Sequence, residues 1–261
     1  MLLIPELVIG AIVGLIISTT GVGGGVIVLP ILIYFFGLDA LSAVATANLL
    51  SMLMKISSSY MHFRMGNIPL RQSLTILLIM IPSTMLASYG VTILSHINHS
   101  QVQLEWGINL LVVLAILFSL YLFYCRIRQP ERQISQTYMQ SGFIKSLLLP
   151  GTGAGLVLGA TGVGGGVVVL PLLLRYAQMN IKQAIGVSLF VTMMLSGSSA
   201  FAYAHGGHTY WELALVLFVG SLLAIPFSKY LMKRLPDKAF QYATLFLILC
   251  SAVLMGIRLI G

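Results

Sequence analysis

Charged side chains are scarce in this sequence, and their scarcity excludes an ordinary soluble domain. Only 8% of the 261 residues are charged and 58% are hydrophobic, whereas soluble domains carry roughly 25% charged residues. Apolar runs such as 106–125 and 239–259 are long enough to cross a bilayer. The composition therefore predicts an all-α polytopic membrane protein.

Acids and cysteines are few, and their positions limit the chemistry further. The six acids, which lie near predicted span ends or in loops, are Glu6, Asp39, Glu105, Glu131, Glu212 and Asp237. No predicted span centre therefore holds a carboxylate for a proton or sodium relay. Cys125 and Cys250 do not suggest a disulfide framework, and no nucleophile–base pair or cluster of metal ligands is evident. We expect no enzyme activity, no cofactor, no metal and no removable signal peptide.

An internal repeat organises the chain. The string TGVGGGVIVLP at 20–30 returns as TGVGGGVVVLP at 161–171, with ten of eleven positions identical and an offset of 141 residues. Weaker matches continue on both sides at the same offset without gaps. We therefore predict a first transmembrane repeat at 1–125, a basic linker at 126–144 and a second repeat at 145–261. Each repeat should hold an interrupted or re-entrant hairpin followed by three transmembrane helices.

The distribution of basic residues predicts that the two repeats are inverted. Arg64 and Arg71 lie in a loop whose repeat mate, at 204–211, has no Lys or Arg. The loop at 95–106 also has no Lys or Arg, and its mate at 229–238 is basic. Because basic loops face the cytoplasm, equivalent loops should lie on opposite sides of the membrane, as in many secondary transporters. We expect an inner (plasma) membrane protein with a cytoplasmic linker and both termini outside. These basic loops also account for the net charge of +8, so the positive charge does not indicate a nucleic-acid partner.

The glycine motif interrupts a segment that must begin and end on the same side of the membrane. Residues 2–18 would form about 25 Å of helix and residues 26–36 about 16 Å, and the second length cannot cross a core of about 30 Å. We interpret the segment as a hairpin that turns within the bilayer. Two tilted crossings per repeat would give the same sidedness and remain an alternative.

The glycine turns predict a site for an anion. Glycine permits positive φ and close approach of the backbone to a ligand, and irregular backbone inside a bilayer must be buried in protein or line a cavity. Each turn is followed by a helix with Pro30 or Pro171 in its first turns, so free N–H groups should point to the membrane centre. Close helix packing is the alternative role of the glycines. A nucleotide-binding loop is not expected, because no Lys-Ser/Thr follows.

The two GxGGG motifs, each with a proline five residues further on, occur with AVATANLL at 43–50 and AIGVSLF at 184–190. Together they resemble the sulfite exporter TauE/SafE permeases over nearly the whole chain. The resemblance implies export of sulfur-containing anions such as sulfite, sulfoacetate or other sulfonates, or transport of related small organic anions. Members usually carry a Gly-Thr-Ser-type triplet after the first hairpin. Here 45–47 reads Ala-Thr-Ala and 186–188 reads Gly-Val-Ser, so each copy keeps part of it.

The candidate substrate-binding residues are the motif residues and polar residues of the helix that follows each motif. They are Thr20, Gly21, Gly23, Gly24, Gly25, Thr46, Asn48, Lys55, Thr161, Gly162, Gly164, Gly165, Gly166, Ser188 and Thr192. Lys55 is the most informative, because a cation within a span is costly and functional by default. A lysine that extends to the interface is the alternative. The hydroxyls can donate to sulfonate oxygens, although such residues also mediate helix packing.

The expected partners are a small anionic substrate and the lipid bilayer, without nucleic acid, and a homodimer is compatible with this plan. Two other functions remain open at this point. An anion channel would share the same site and conduct without alternating access. An accessory membrane protein, or a membrane-embedded enzyme, would move no anion on its own.

Overall fold

The computed structural model describes residues 3–20, 24–97, 142–162, 168–177, 179–204, 207 and 209–234, together with parts of 106–121 and 242–257. Its continuous elements are α1 (Leu3–Thr20), α2 (Gly24–Tyr34), α3 (Ala40–Arg64), α4 (Leu70–Ile97), α5 (Gly142–Thr161), α6 (Val169–Tyr176), α7 (Ile181–Ala204) and α8 (Trp211–Arg234). No strand occurs in this part of the chain, and the predicted all-α class is confirmed.

Four of the helices are long and apolar enough to cross a membrane. They contain the segments 40–64, 70–94, 181–204 and 211–228, which agree with the predicted second and third segments of each repeat. The predicted last spans, at 106–125 and 239–259, fall only partly within the described residues, and most of the linker falls outside them. The division into domains at 125 and 145 therefore stays a prediction.

The described helices stop on either side of both glycine motifs, but residues 21–23 and 163–167 lie outside the described residues, so the glycine turns stay a prediction. α1 ends at Thr20 and α2 begins at Gly24, while α5 ends at Thr161 and α6 begins at Val169. With 11 and 8 residues, α2 and α6 are about 16 Å and 12 Å long, too short to cross the bilayer core. Pro171 is the third residue of α6, in its first turn as expected. Pro30 is instead the seventh residue of α2, where proline removes an intrahelical hydrogen bond.

The repeat seen in the sequence recurs in the way α3 and α7 begin and end. Both helices start with a side-chain cap, and both are followed by a glycine with positive φ. Asp39 Oδ2 accepts from the backbone N–H three residues later at 3.0 Å, and its repeat mate Asn180 does the same through Oδ1 at 2.8 Å. Such caps satisfy backbone donors that the first helical turn leaves free. Gly66 and its mate Gly207 follow the ends of these helices with φ of 73° and 74°, a conformation that favours glycine.

Helices from different repeats pack together through glycine. α1 packs extensively on α8, and their repeat mates α5 and α4 pack in the same way. A Cβ added to Gly14 would lie 2.8 Å from Cα of Ser221, and one added to the equivalent Gly155 would lie 2.8 Å from the carbonyl oxygen of Met80. Met80 is itself the repeat mate of Ser221. The packing alternative for glycine thus applies to these helix positions, where backbones approach closely.

This packing predicts that Gly155→Ala destabilises the protein whereas Gly153→Ala, on the same helix, does not. A Cβ at Gly153 would meet nothing within 4 Å, so alanine there keeps its helix-forming advantage of about 0.5–1 kcal/mol. At Gly155 the overpacking penalty of about 1–3 kcal/mol should dominate. The thermal unfolding midpoint in detergent should fall for Gly155→Ala only. Equal midpoints for both variants would contradict the close α4–α5 contact.

α3 and α7 form the centre of the protein and run antiparallel. Their direction follows from three contacts, which join His62 to Gly186, Lys55 to Ser196 and Met52 to Gly197. Residue numbers fall along α3 as they rise along α7. Most residues of both helices are buried, and the two remaining short helices pack on them, α2 on α3 and α6 on α7.

Candidate functional site

The side chain of Lys55 is buried in the middle of α3. It is 1% exposed, and its Nζ lies 3.4 Å from Oγ of Ser196 on α7. These two residues are repeat mates, so they meet where the mates α3 and α7 cross. The ammonium is directed into the bundle, which contradicts the alternative that Lys55 extends to the membrane interface.

No acidic residue of the described chain is placed to neutralise Lys55. The described acids lie at helix ends: Glu6 in the first turn of α1, Asp39 at the N-cap of α3 and Glu212 in the first turn of α8. Asp39 precedes Lys55 by 16 residues, about 24 Å along the helix axis. A buried cation usually has a paired charge. Within the described residues, Lys55 is therefore a buried cation without a carboxylate partner.

Lys55 belongs to a line of buried polar residues on α3, which we call the α3 stripe and define as Asn48, Ser51 and Lys55. Their spacings of three and four residues place them on one helix face, and they are 0%, 1% and 1% exposed. Asn48 Oδ1 and Ser51 Oγ have no hydrogen-bond partner among the described residues. The stripe thus presents a cation, a hydroxyl and an amide oxygen that the helix bundle itself leaves available.

A matching line of hydroxyls occupies α7. Ser188, Thr192 and Ser196 follow one another at intervals of four residues, and all three are buried. Thr192 Oγ1 donates to the carbonyl oxygen of Ser188 at 2.6 Å. The predicted residues Ser188 and Thr192 therefore lie on the face of α7 that carries Ser196. The structure brings this face to Lys55 through the contact of Ser196.

The break in the second repeat adjoins one end of the α3 stripe. Gly162 follows α5 with φ of +66°, and a Cβ added to it would lie 2.9 Å from Asn48 Nδ2. Tyr203 of α7 donates to the carbonyl oxygen of Gly159 at 3.0 Å. Helices α3 and α7 thus both hold the end of α5 where the chain leaves the helix.

The end of α1 in the first repeat is also held by contacts with α3, and one of these is equivalent to a contact in the second repeat. Ser18, near the end of α1, exchanges a short hydrogen bond with Ser58 through their hydroxyls. His62 Nε2 lies 3.4 Å from the carbonyl oxygen of Ser18. In the second repeat Tyr203, the repeat mate of His62, contacts the carbonyl oxygen of Gly159, the repeat mate of Ser18. Because Asn48 and Ser58 are about 15 Å apart along α3, the two breaks flank Lys55 from opposite sides.

The predicted residues differ in what the structure says of them. Of the predicted residues, Asn48 and Lys55 lie on the α3 stripe with Gly162 at its edge, while Thr192 and Ser188 continue from Ser196 toward the end of α3 that carries His62. Gly24 and Gly25 form the first positions of α2, and Thr20 is the last residue of α1. The predicted residues Gly21, Gly23, Gly164, Gly165 and Gly166 lie outside the described residues.

Thr46 and Thr161 have structural contacts that the sequence does not reveal. Thr46 Oγ1 accepts a hydrogen bond from the backbone N–H of Tyr210 at 3.0 Å, which anchors the start of α8. It stands two residues from Asn48, so it points away from the α3 stripe. Thr161 Oγ1 donates to the carbonyl oxygen of Val157 at 2.6 Å, within its own helix. Their role as ligands is therefore the weakest of the set.

Ser51 is a part of the site that the sequence did not indicate, and Ser196 was only one of several hydroxyls that could donate to a sulfonate. Ser51 is one of many small hydroxyl residues in the chain, and its three-residue spacing from Asn48 is the only local indication. Ser196 has a stronger signal, because the 141-residue offset makes it the repeat mate of Lys55. In inverted repeats, mates near the symmetry axis meet each other, and that rule would have identified the pair.

The contact between Gly162 and Asn48 predicts a specific effect of Gly162→Ala. Alanine should cost about 1–2 kcal/mol at this positive φ, and its Cβ should displace the Asn48 amide. Gly66→Ala is the matched control, since Gly66 has φ of +73° and open space around it. Thermal midpoints should fall similarly for both. Titrations with 2-hydroxyethanesulfonate should show binding weakened on the order of tenfold for Gly162→Ala alone, and equal binding by both variants would contradict the contact.

Comparison with known proteins gives one family and several relatives. The sequence model of the family described as Sulfite exporter TauE/SafE matches residues 7–255. A probable membrane transporter protein of Methanocaldococcus jannaschii is 28% identical over 237 residues, covering 87% of this chain and 83% of the relative. Another from Haemophilus influenzae is 27% identical over 208 residues, covering 77% and 73%. One from Bacillus subtilis is 24% identical over 257 residues, covering 97% and 98%. No solved structure matches the chain.

Proposed function

Because this chain belongs to the sulfite exporter TauE/SafE family, we propose that it is a permease that exports small sulfur-containing anions such as sulfite, sulfoacetate or other sulfonates. Membership of the family and the transporter relatives make it a multi-pass membrane transporter. The main support for an anionic substrate is Lys55. Its ammonium is buried in the middle of the bundle and contacts a neutral serine hydroxyl.

The helix ends near the two breaks support the same substrate. Val168 stands at the N-cap position of α6 and makes no side-chain capping hydrogen bond. The first N–H groups of a helix attract anions through hydrogen bonds and the helix dipole. With Lys55 and the hydroxyls of α7, such an end supplies the donors that a sulfonate or sulfite oxygen requires.

The burial of the site supports a permease over an open channel. The side chains of the α3 stripe and the three α7 hydroxyl residues, Ser188, Thr192 and Ser196, are at most 1% exposed. This conformation therefore opens the site to neither side of the membrane. A channel would conduct through a continuous open path. A transporter that alternates between two faces passes through a closed state of this kind.

We further propose that the two halves are inverted repeats. In such a pair, equivalent helices run antiparallel across an axis in the membrane plane, and α3 and α7 run antiparallel through their mate pair Lys55 and Ser196. The protein would lie in the inner membrane with the basic linker in the cytoplasm and both termini outside.

Binding and flux of purified protein test the proposed function directly. Sulfite, thiosulfate and sulfoacetate should raise the unfolding temperature in detergent, because a ligand at 100 times its dissociation constant stabilises by about 2.7 kcal/mol. Chloride at equal ionic strength is the control. In liposomes, radiolabelled sulfite should leave protein-containing vesicles with saturable kinetics and without single-channel currents. Stabilisation by none of these anions, and no flux, would contradict the permease.

The proposed orientation predicts which single cysteines an impermeant thiol reagent can reach. In a background without Cys125 and Cys250, cysteines at Asn98 and Gly207 should react from outside intact cells. Cysteines at Gln133 and Pro236 should react only after permeabilisation, because basic segments stay in the cytoplasm. Reaction of all four positions from one side would rule out inverted repeats.

A further inference from the structure

The carboxamide of Asn48 is held in an orientation that leaves one acceptor unused. Its Nδ2 donates to the carbonyl oxygen of Val44 at 3.0 Å. Only the nitrogen can make that bond, so the positions of nitrogen and oxygen are determined by the hydrogen-bonding pattern. Oδ1 has no partner among the described residues although Asn48 is 0% exposed. Buried acceptors without partners are rare because they lose hydration without compensation.

The unused oxygen lies on the same helix face as the buried cation. Asn48 precedes Lys55 by seven residues, two helical turns, with Ser51 between them. Long side chains in a helix lean toward its N terminus, so the Lys55 ammonium leans toward Ser51 and Asn48. A ligand at the α3 stripe would therefore meet strong donors at one end and an acceptor at the other.

We propose that the transported substrate is an anion that carries its own hydrogen-bond donor, with its charged oxygens at Lys55 and its donor group at Asn48 Oδ1. The proposal rests on the proposed function and narrows its substrate class. A hydroxyl-bearing or ammonium-bearing sulfonate has this chemistry, as does an oxyanion that retains one proton. A simple alkyl sulfonate has the charge and lacks the donor, so it would leave the Asn48 oxygen without a partner.

A metal cation is the other group that could satisfy an amide oxygen, and the position of Lys55 disfavours it. Two cations along one helix, about 10 Å apart, repel each other more strongly inside a protein than in water. The described chain also adds no carboxylate to such a cation site, since the described acids lie at helix ends. A donor on an anion satisfies Asn48 without adding a second positive charge.

The spacing of the stripe suits a short substrate. Seven residues correspond to a rise of about 10.5 Å, and two hydrogen bonds of about 2.9 Å leave about 5 Å between the polar ends of the ligand. Two carbon atoms between a sulfonate and a hydroxyl give a length of that order. The lean of the lysine side chain shortens the gap and admits smaller anions.

A pair of ligands that differ in the donor tests the proposal. Ethanesulfonate and 2-hydroxyethanesulfonate have the same charge and carbon chain, and only the second has a hydroxyl. Their affinities for the purified protein should be measured from thermal-shift titrations in potassium salts. We expect 2-hydroxyethanesulfonate to bind about tenfold more tightly, the value of one added hydrogen bond. Asn48→Leu should remove this difference while keeping the affinity for ethanesulfonate.

Controls separate this proposal from the proposed function. Asn180→Leu, at the exposed start of α7, should keep the tenfold preference. Equal binding of the two sulfonates by the unmodified protein would overturn the donor requirement while the permease function stands, and this result needs no variant to fold. Sodium-dependent binding with no preference between the two would assign Asn48 to a cation and also overturn it. Binding of no anion at all would overturn the proposed function and this inference with it.

Discussion

Lys55→Met should abolish anion binding and leave the unliganded protein at least as stable as before. Methionine has a similar length and no charge, so the helix packing around position 55 should persist. Removing one partner of a buried charged contact costs about 2–5 kcal/mol, and sulfite or sulfoacetate affinity should fall on the order of 100-fold or more. The unliganded protein loses a buried ammonium whose desolvation is costly. Its thermal midpoint should therefore rise or stay unchanged.

The opposite signs of these two effects make Lys55→Met informative. A structural lysine would lower the thermal midpoint when replaced, and ligand binding would fall only in proportion to the folded fraction. Arg71→Met, which removes an exposed cation at the start of α4, is the matched control and should change neither quantity. Undiminished stabilisation by sulfite in the Lys55→Met protein would show that the anion binds elsewhere.

Membrane potential alone should drive the proposed efflux, and the anion should reach a much higher concentration outside than inside. An inside-negative potential of about 100 mV contributes about 2.3 kcal/mol per charge, which corresponds to an outward ratio of roughly 50-fold for a monovalent anion at equilibrium. The site offers a buried cation and helix N termini, and the described span centres carry no carboxylate to hold a coupling cation. We therefore expect electrogenic transport without a coupled proton or sodium ion.

Proteoliposomes with a potassium diffusion potential provide the measurement. Reversing the potential with valinomycin should reverse the direction of labelled anion flux. A pH gradient at zero potential should not concentrate the anion. If it does, the experiment should be repeated with His62→Gln, because His62 is the buried imidazole nearest the first break. Accumulation that persists in that variant would show that another proton path exists and that uncoupled transport is wrong.

The sequence determined the membrane class and the repeat, because both can be read from the chain without knowing how its helices pack. Hydropathy over about 20 residues predicts a span regardless of its neighbours. A fixed offset of 141 residues is visible before any folding. The sequence also predicts that the glycine runs interrupt helices. Helices α1 and α5 end at Thr20 and Thr161, directly before these runs, and the turns themselves stay a prediction. Lys55 was selected for the same kind of reason, since a cation in an apolar segment is conspicuous by itself.

Only the tertiary structure decided what each polar side chain contacts. The choice between an interfacial and a buried Lys55 depended on whether α7 crosses α3 at that level, and the contact with Ser196 decided it. Only the packing of α8 showed that Thr46 Oγ1 accepts a hydrogen bond from the backbone N–H of Tyr210. Asn48 is buried among the packed helices, and its Oδ1 has no partner among the described residues. Such partners come from segments distant in sequence, and their positions follow from how whole helices pack, which no local pattern encodes.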